Sequence, residues 1–302
     1  MAGDIKPLLG KRLGIVGKGG AGKTTTTVLL ANALRKNGYE VCILDADSTN
    51  IGLHRALGLA SAPDSLIDYF GGMVFSGGAV TCPVDDPTPL PDADLLLEDL
   101  PDEYYLENQA GIMLLTAGKI GDLGPGAGCD GPINKIARDV RILREGSQPV
   151  TLVDFKAGFE DSARGAITSL DWIIVVVDPT QASIQMSIHM QAMLEKIHAG
   201  VPPATQHLES PEAVALAKRL FKETKVKGVL VILNRVRDEE METYLRDELK
   251  ADGIEPIGVF YEDPSLTTAW LKGQAFDGPR LDEAAQEIIR SLESAEKHST
   301  KE

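Results

Sequence analysis

Cysteine is scarce in this 302-residue chain: Cys42, Cys82 and Cys129 are far apart and odd in number. Three separated thiols build no disulfide framework, so the fold must rest on a packed core and each cysteine needs its own explanation. Aromatic residues are few, at 5%. Long apolar runs are missing as well. The stretch from Trp172 to Val177 is far below the ~20 residues that a membrane-spanning helix requires. The opening residues MAGDIKPLLGKR hold no apolar leader, and Ala2 stands where an N-terminal acylation signal needs glycine. The expectation is a cytoplasmic protein with no membrane attachment.

Positive charge is the fourth shortage. The formal net charge is −15. From Ala56 to Gly118 there is no Lys or Arg, while Asp64, Asp68, Asp85, Asp86, Asp92, Asp94, Glu98, Asp99, Asp102, Glu103 and Glu107 are all acidic. Nucleic-acid binding draws its affinity from basic clusters that displace counterions, so no nucleic-acid partner is expected. The acidic stretch reads as a solvated insertion, the alternative being a docking surface for a basic partner.

What the chain does contain is an alternation of short apolar runs with helical patterns. RLGIVG (12–17), EVCILD (40–45), GIMLLTA (111–117), PVTLVD (149–154), DWIIVVVD (171–178), KGVLVILN (227–234) and EPIGVFY (255–261) have the continuous apolar character of buried parallel strands. Helices are expected near 22–37, 132–145, 181–197, 211–224, 238–250, 263–272 and 280–297. The reading is one doubly wound α/β domain over 1–302, its mostly parallel sheet covered by helices on both faces. Two insertions interrupt it, an acidic one at about 60–110 and a helix-bearing one at about 198–226. The first, rich in Pro, Gly and Asp, reads as irregular, and loops that long are usually functional or mobile.

The strongest local signal is GKGGAGKTTTT, residues 17–27. Gly17, Gly22, Lys23 and Thr24 satisfy G-x-x-x-x-G-K-[ST] between an expected strand and an expected helix, the context that a phosphate-binding loop requires. Gly17, Gly19, Gly20 and Gly22 let main-chain N–H groups turn toward an anion, and the helix adds its positive end. Lys23 would reach the β- and γ-phosphates and the Thr24 hydroxyl would coordinate Mg²⁺, with Ala21 and Thr25 completing the nucleotide-binding set. One such loop needs one lysine, yet Lys18 supplies a second.

Acidic residues stand where such a site needs them. LDADSTN places Asp45 and Asp47 at the carboxyl end of the second strand, and TLVD places Asp154 at another strand end, where ligands bind in doubly wound sheets. Acidic residues there are also common helix caps. In ILNRVRD, Asn234 suits the adenine amino group, while the carboxylate that usually reads guanine is replaced by Arg237, so ATP is expected over GTP.

KGGAGK resembles the deviant Walker A loop of the MinD-like P-loop ATPases, which include partitioning ATPases, the nitrogenase iron protein and metal-centre maturation ATPases. The resemblance implies that Lys18 crosses a homodimer interface formed on ATP binding and touches the partner's nucleotide. It also implies that Asp47 orients the attacking water, and that Asp45 and Asp154 hold hydrated Mg²⁺. GKIGDLGPGAGCDGPINKIARDV, DFKAGFEDSARGAITSLD and VVDPTQASI together resemble the CooC-type nickel-insertion ATPases of carbon monoxide dehydrogenase. This implies a client metalloenzyme and a metal shared by two subunits through a Cys-x-Cys pair. Here Cys129 occupies the first position and Gly131 the second, so a dimer would supply two thiolates rather than four.

Pro125, Gly126, Gly128, Cys129 and Gly131 also resemble the cluster loop of the nitrogenase iron protein. That likeness implies an iron–sulfur cluster, with Asp161 standing where the second ligand cysteine would be. Three functions stay open: an ATP-driven metallocentre assembly switch handling nickel, zinc or a cluster, an ATP-dependent reductase, or a metal-free positioning ATPase. The other reading of Cys129 is an ordinary loop thiol, with Asp161 a helix cap. Cys42 reads as core packing and Cys82 is unassigned.

Overall fold

The computed structural model describes residues 6–119, 130–158, 165–201, 208 and 210–300. Its centre is an eight-stranded sheet. In chain order the strands are β1 (Arg12–Gly17), β2 (Val41–Ala46), β3 (Asp94–Leu96), β4 (Tyr105–Glu107), β5 (Ile112–Thr116), β6 (Arg141–Leu143), β7 (Val150–Phe155), β8 (Trp172–Val177), β9 (Gly228–Val236) and β10 (Gly258–Tyr261). The large sheet runs β10-β9-β8-β1-β7-β2-β5-β4. Every neighbouring pair is parallel except β4 against β5. Every residue of β1, β2, β7 and β8 is buried. Their high Val, Ile and Leu content follows, because both faces of the sheet are covered.

The covering helices are α1 (Lys23–Lys36), the short α2 (Leu53–Ala56) and α3 (Leu66–Tyr69), α4 (Gly131–Asp139), α5 (Gln181–His198), α6 (Pro211–Lys222), α7 (Glu239–Ala251), α8 (Pro264–Lys272) and α9 (Asp282–Ser299). One apolar cluster joins α1 and α9 to one face through Leu30, Leu34, Ile288 and Leu292. The other joins α4 and α5 to the opposite face through Ile133, Ile136, Met190 and Leu194. Starts are set locally: Thr180, Ser210, Asp238 and Asp263 each accept a main-chain N–H in the first turn of the helix that follows. Cys42 lies fully buried on β2, where burial pushes its thiol up to about 12, as core packing requires. No described helix is long and apolar enough to cross a membrane.

Four expectations need correction. The helix expected over 132–145 stops at Asp139. Val140 turns extended, Arg141 donates to the Arg138 and Asp139 carbonyls at the helix end, and Arg141–Leu143 becomes β6. The stretch 60–110 is not wholly irregular: it holds α3, β3 and β4, and β3 pairs with β6 in a small parallel sheet of its own. Nor is it only a solvated insertion. Lys135 of α4 reaches Thr81 Oγ1 at 2.8 Å and Asp86 Oδ2 at 3.4 Å, and Asp139 accepts the Leu90 N–H at 2.8 Å. The acidic segment is thereby fastened over α4. The C-terminal end of that helix is also held by the buried Arg12 guanidinium, which donates to the Ala137 and Val140 carbonyls at 2.7 Å each. The last expected strand begins at Gly258 instead of Glu255.

Candidate active site

The carboxyl ends of β1, β2, β7 and β9 meet beside the start of α1. Gly22 adopts φ 92°, and no side chain caps the helix. No acidic residue occupies the first turn of α1. An uncapped N-terminus leaves its N–H groups and positive end available to an anion. Gly17 must be glycine for a steric reason: at φ 155° a Cβ would lie 2.7 Å from the Val176 carbonyl. A Cβ on Gly22 would lie 2.2 Å from Asn234 Nδ2. The loop carbonyls are tied back from the β9 side. Asn234 Nδ2 donates to Ala21 O at 2.7 Å and Arg235 to Gly20 O at 2.8 Å.

A cleft of about 490 Å³ opens over this loop, lined by Gly19, Lys23, Thr24, Asp47, Asn234 and Trp270 among others. Tyr261, Leu266 and Trp270 give it an apolar wall suited to a planar base. Trp270 Nε1 also donates to Thr25 Oγ1 at 2.9 Å, so α8 braces the first turn of α1. Lys23 is largely buried; burial lowers its pKa, against the pull of Asp154 and Asp47.

Two buried carboxylates face each other across β2 and β7, because Asp45 and Asp154 are register partners. Thr24 Oγ1 donates to Asp154 Oδ2 at 2.7 Å and accepts from Asn50 at 3.0 Å. Asp154 Oδ1 is buried with no partner. Burial, and then the neighbouring charge of Asp45, pushes the Asp154 carboxyl up to about 7. An orphaned oxygen beside a second carboxylate and a hydroxyl fits hydrated Mg²⁺, which keeps several waters and needs few protein ligands. That explains why no group of three or more His, Cys, Asp or Glu among the described residues has the form of a metal cage. Thr24, Asp154 and Asp45 are the groups that could hold the ion.

Asp45 is itself held. Burial pushes its carboxyl up to about 6, while Lys119 pulls it down from 2.6 Å. The same ammonium reaches the Asp47 carbonyl at 2.6 Å. The Asp47 carboxylate accepts the Thr49 N–H at 2.9 Å and the Thr49 hydroxyl at 2.7 Å. Lys18 rests 3.4 Å from Asp178 at the end of β8. Burial pushes Asp178 up, but bonds from Ser183 and Thr180, helped by Lys18, outweigh it and hold the carboxyl below its usual range. Asp130 accepts from the Ser48 hydroxyl and from Lys156 Nζ at 2.5 Å.

The fold therefore brings Gly17, Gly19, Gly20, Ala21, Gly22, Lys23, Thr24, Thr25, Asp45, Asp47, Asp154 and Asn234 together, with Lys18 at the rim. Cys129 and Asp161 lie outside the described residues. Asn50, Lys119, Asp130, Asp178 and Arg235 lie within the quoted segments but were given no role there, and Trp270 lies in none of them. The profile of the CobQ/CobB/MinD/ParA nucleotide binding domain matches residues 15–276. The chain belongs to that family. It is a P-loop ATPase.

Among its relatives is an uncharacterized ATP-binding protein of Methanocaldococcus jannaschii, 35% identical over 188 residues, 62% of this chain and 74% of that protein. The carbon monoxide dehydrogenase accessory protein CooC of Rhodospirillum rubrum is 27% identical over 183 residues, 60% of this chain and 68% of its own. The septum site-determining protein MinD of Pyrococcus horikoshii, solved with Mg-ADP, superposes with a TM-score of 0.58 at 19% identity, covering 93% and 95% of the two chains. This last likeness shows the shared fold.

The Asn234 geometry alters what its removal should do. Asn234→Ala deletes the Ala21 tether along with any contact to the base. Affinity for ATP and GTP should therefore both fall by roughly two- to tenfold, as expected for one hydrogen bond, with ATP losing more. Competition between the two nucleotides on native and variant protein measures this. A native protein that used GTP equally well would remove the assignment to adenine.

Proposed function

We propose that this chain is a Mg-ATP-dependent switch that dimerises on ATP and assists assembly of a metal centre in a client enzyme. The observation that carries the reading is the place of Asp130. It directly follows Cys129 in sequence, heads α4, and is bonded both to Ser48, next to Asp47, and to Lys156, just after the strand bearing Asp154. A residue adjoining the one cysteine of the GPGAGCDG segment is thus fastened to the two loops that nucleotide would rearrange. The likeness to the Rhodospirillum rubrum accessory protein supports the client, and that to MinD-like ATPases supports a dimer whose Lys18 serves the partner's nucleotide. In this reading Lys23 binds the phosphates, Asp47 orients the attacking water, and Thr24, Asp45 and Asp154 hold Mg²⁺.

Cys129 decides the metal half. A metal shared across a two-fold axis needs the two Cys129 thiolates near that axis, because such a site is self-complementary. Anaerobic protein loaded with Ni²⁺ or Zn²⁺ should bind close to one ion per dimer, and Cys129→Ser should abolish binding while leaving ATP affinity unchanged. Broad visible absorption that bleaches on reduction, and that weakens in Asp161→Ala, would instead mark a bridging cluster and a reductase. Native protein that takes up neither ion nor cluster would leave a metal-free ATPase switch.

A further inference from the structure

We infer that Lys119 is a positioning residue for ATP hydrolysis: it sets the main-chain geometry from which Asp47 acts. The inference rests on the role proposed above for Asp47. Each oxygen of the buried Asp45 carboxylate takes part in holding Asp47, one directly and one through Lys119. Oδ1 accepts the Asp47 N–H at 3.2 Å, and Oδ2 accepts Lys119 Nζ, which reaches on to the Asp47 carbonyl. Asp47 is thus gripped by its N–H and its C=O from one fixed carboxylate. Its own Oδ1 is occupied by Thr49, so the side chain has a defined direction as well.

The lysine is placed by the fold and not by its motif. Ala117 N–H donates to the Asp45 carbonyl at 2.8 Å, continuing the β2–β5 ladder past the end of β5. Gly118 lies so close to α4 that a Cβ would come within 2.8 Å of Ile133. These two contacts bring residue 119 over the end of β2. Lys119 keeps about a fifth of its side chain exposed, while Asp45 is almost fully buried. A charge pair with one buried, fully bonded member holds its geometry far better than a pair in free solvent. Neither Lys18 nor Lys23 substitutes: the first rests on Asp178 and the second lies toward Asp154.

A group that orients an attacking water must be placed to a fraction of an ångström, and a 1 Å error costs up to about a hundredfold in rate. Lys119→Met should lower the single-turnover rate of Mg-ATP hydrolysis by about tenfold or more. Nucleotide affinity, measured by calorimetry, should stay close to native, while the melting temperature falls because the buried Asp45 loses its partner. Lys119→Gln, which retains a donor for the Asp47 carbonyl without the charge, should fall between the two. Should the Met variant fail to fold, Lys119→Gln carries the test alone, at unchanged nucleotide affinity. Native turnover in both variants, or turnover that falls only in step with nucleotide affinity, overturns the inference. Asp47→Asn is measured in parallel. If it hydrolyses ATP at the native rate, the Asp47 reading itself fails; if it is inactive while the Lys119 variants are native, only the Lys119 inference fails.

Discussion

Lys18→Ala is expected to bind ATP like the native protein and to lose hydrolysis by roughly 10³-fold or more, the scale on which cations supplied across an interface act in phosphoryl transfer. Lys18 touches none of the carboxylates at the magnesium side. Its partners are Asp178 and the neighbouring Gly19 carbonyl, at 3.4 and 3.3 Å. With its side chain about a third exposed, the ammonium can exchange Asp178 for another anion at little cost. In the proposed dimer that anion is the partner's nucleotide. ATP binding with Asp47→Asn, which blocks turnover, should then drive the protein to a dimer in sedimentation or light scattering. Adding Lys18→Ala should weaken that shift. A Lys18→Ala variant that hydrolyses ATP at the native rate would mean that the second lysine of the loop has no catalytic part.

Asp154→Asn should have two large and opposite effects. It removes a group proposed to hold Mg²⁺, so hydrolysis should fall by roughly 10²-fold or more, given that such an ion contributes several kcal/mol to transition-state stabilisation. The nucleotide-free protein, by contrast, should become more stable above neutral pH. The sign follows from proton binding. Folded Asp154 holds its proton up to about 7, against 3.8 for an ordinary aspartate, so the folded chain binds more protons than the unfolded chain between those values. The stabilisation is complete below about pH 4 and is lost as pH rises toward 7. Asp45 acts in the same direction, up to about 6.

Melting curves without nucleotide or Mg²⁺ should therefore decline for the native protein from pH 4 to 7. The Asn variant should decline less and melt several degrees higher at pH 8, a shift consistent with relief of a few kcal/mol in a domain of this size. A native protein with a flat profile, and a variant less stable at every pH, would show that the buried carboxylate carries no strain.

The phosphate loop was legible because its chemistry is contiguous: strand end, glycines, lysine and threonine follow one another in the chain, and the order itself states the function. Asp45 and Asp154 were legible because each ends an apolar run. Lys119 was not, since it meets Asp45 only because β5 is laid beside β2, 74 residues apart in sequence. Trp270 and Thr25 are 245 residues apart, and no local pattern announces such a pair. The helix 132–145 was read too long for a related reason. Arg141–Leu143 becomes a strand only because Asp94–Leu96 is there to pair with it, within a stretch whose Asp and Pro content conceals a strand.

The fastening of α4 has a mechanical consequence. Its tail is pinned where Arg12 grips the carbonyls of Ala137 and Val140, while its head is tied at Asp130 to Ser48 and Lys156. A helix clamped at its tail would move at its head by swinging about that clamp. Nine helical residues span about 13 Å, so a 1 Å displacement of the head is a rotation of about 4° around the Arg12 pivot. Lys135 sits between head and pivot with its grip on Asp86, so the acidic cover would ride on that rotation with a smaller stroke than Asp130 itself.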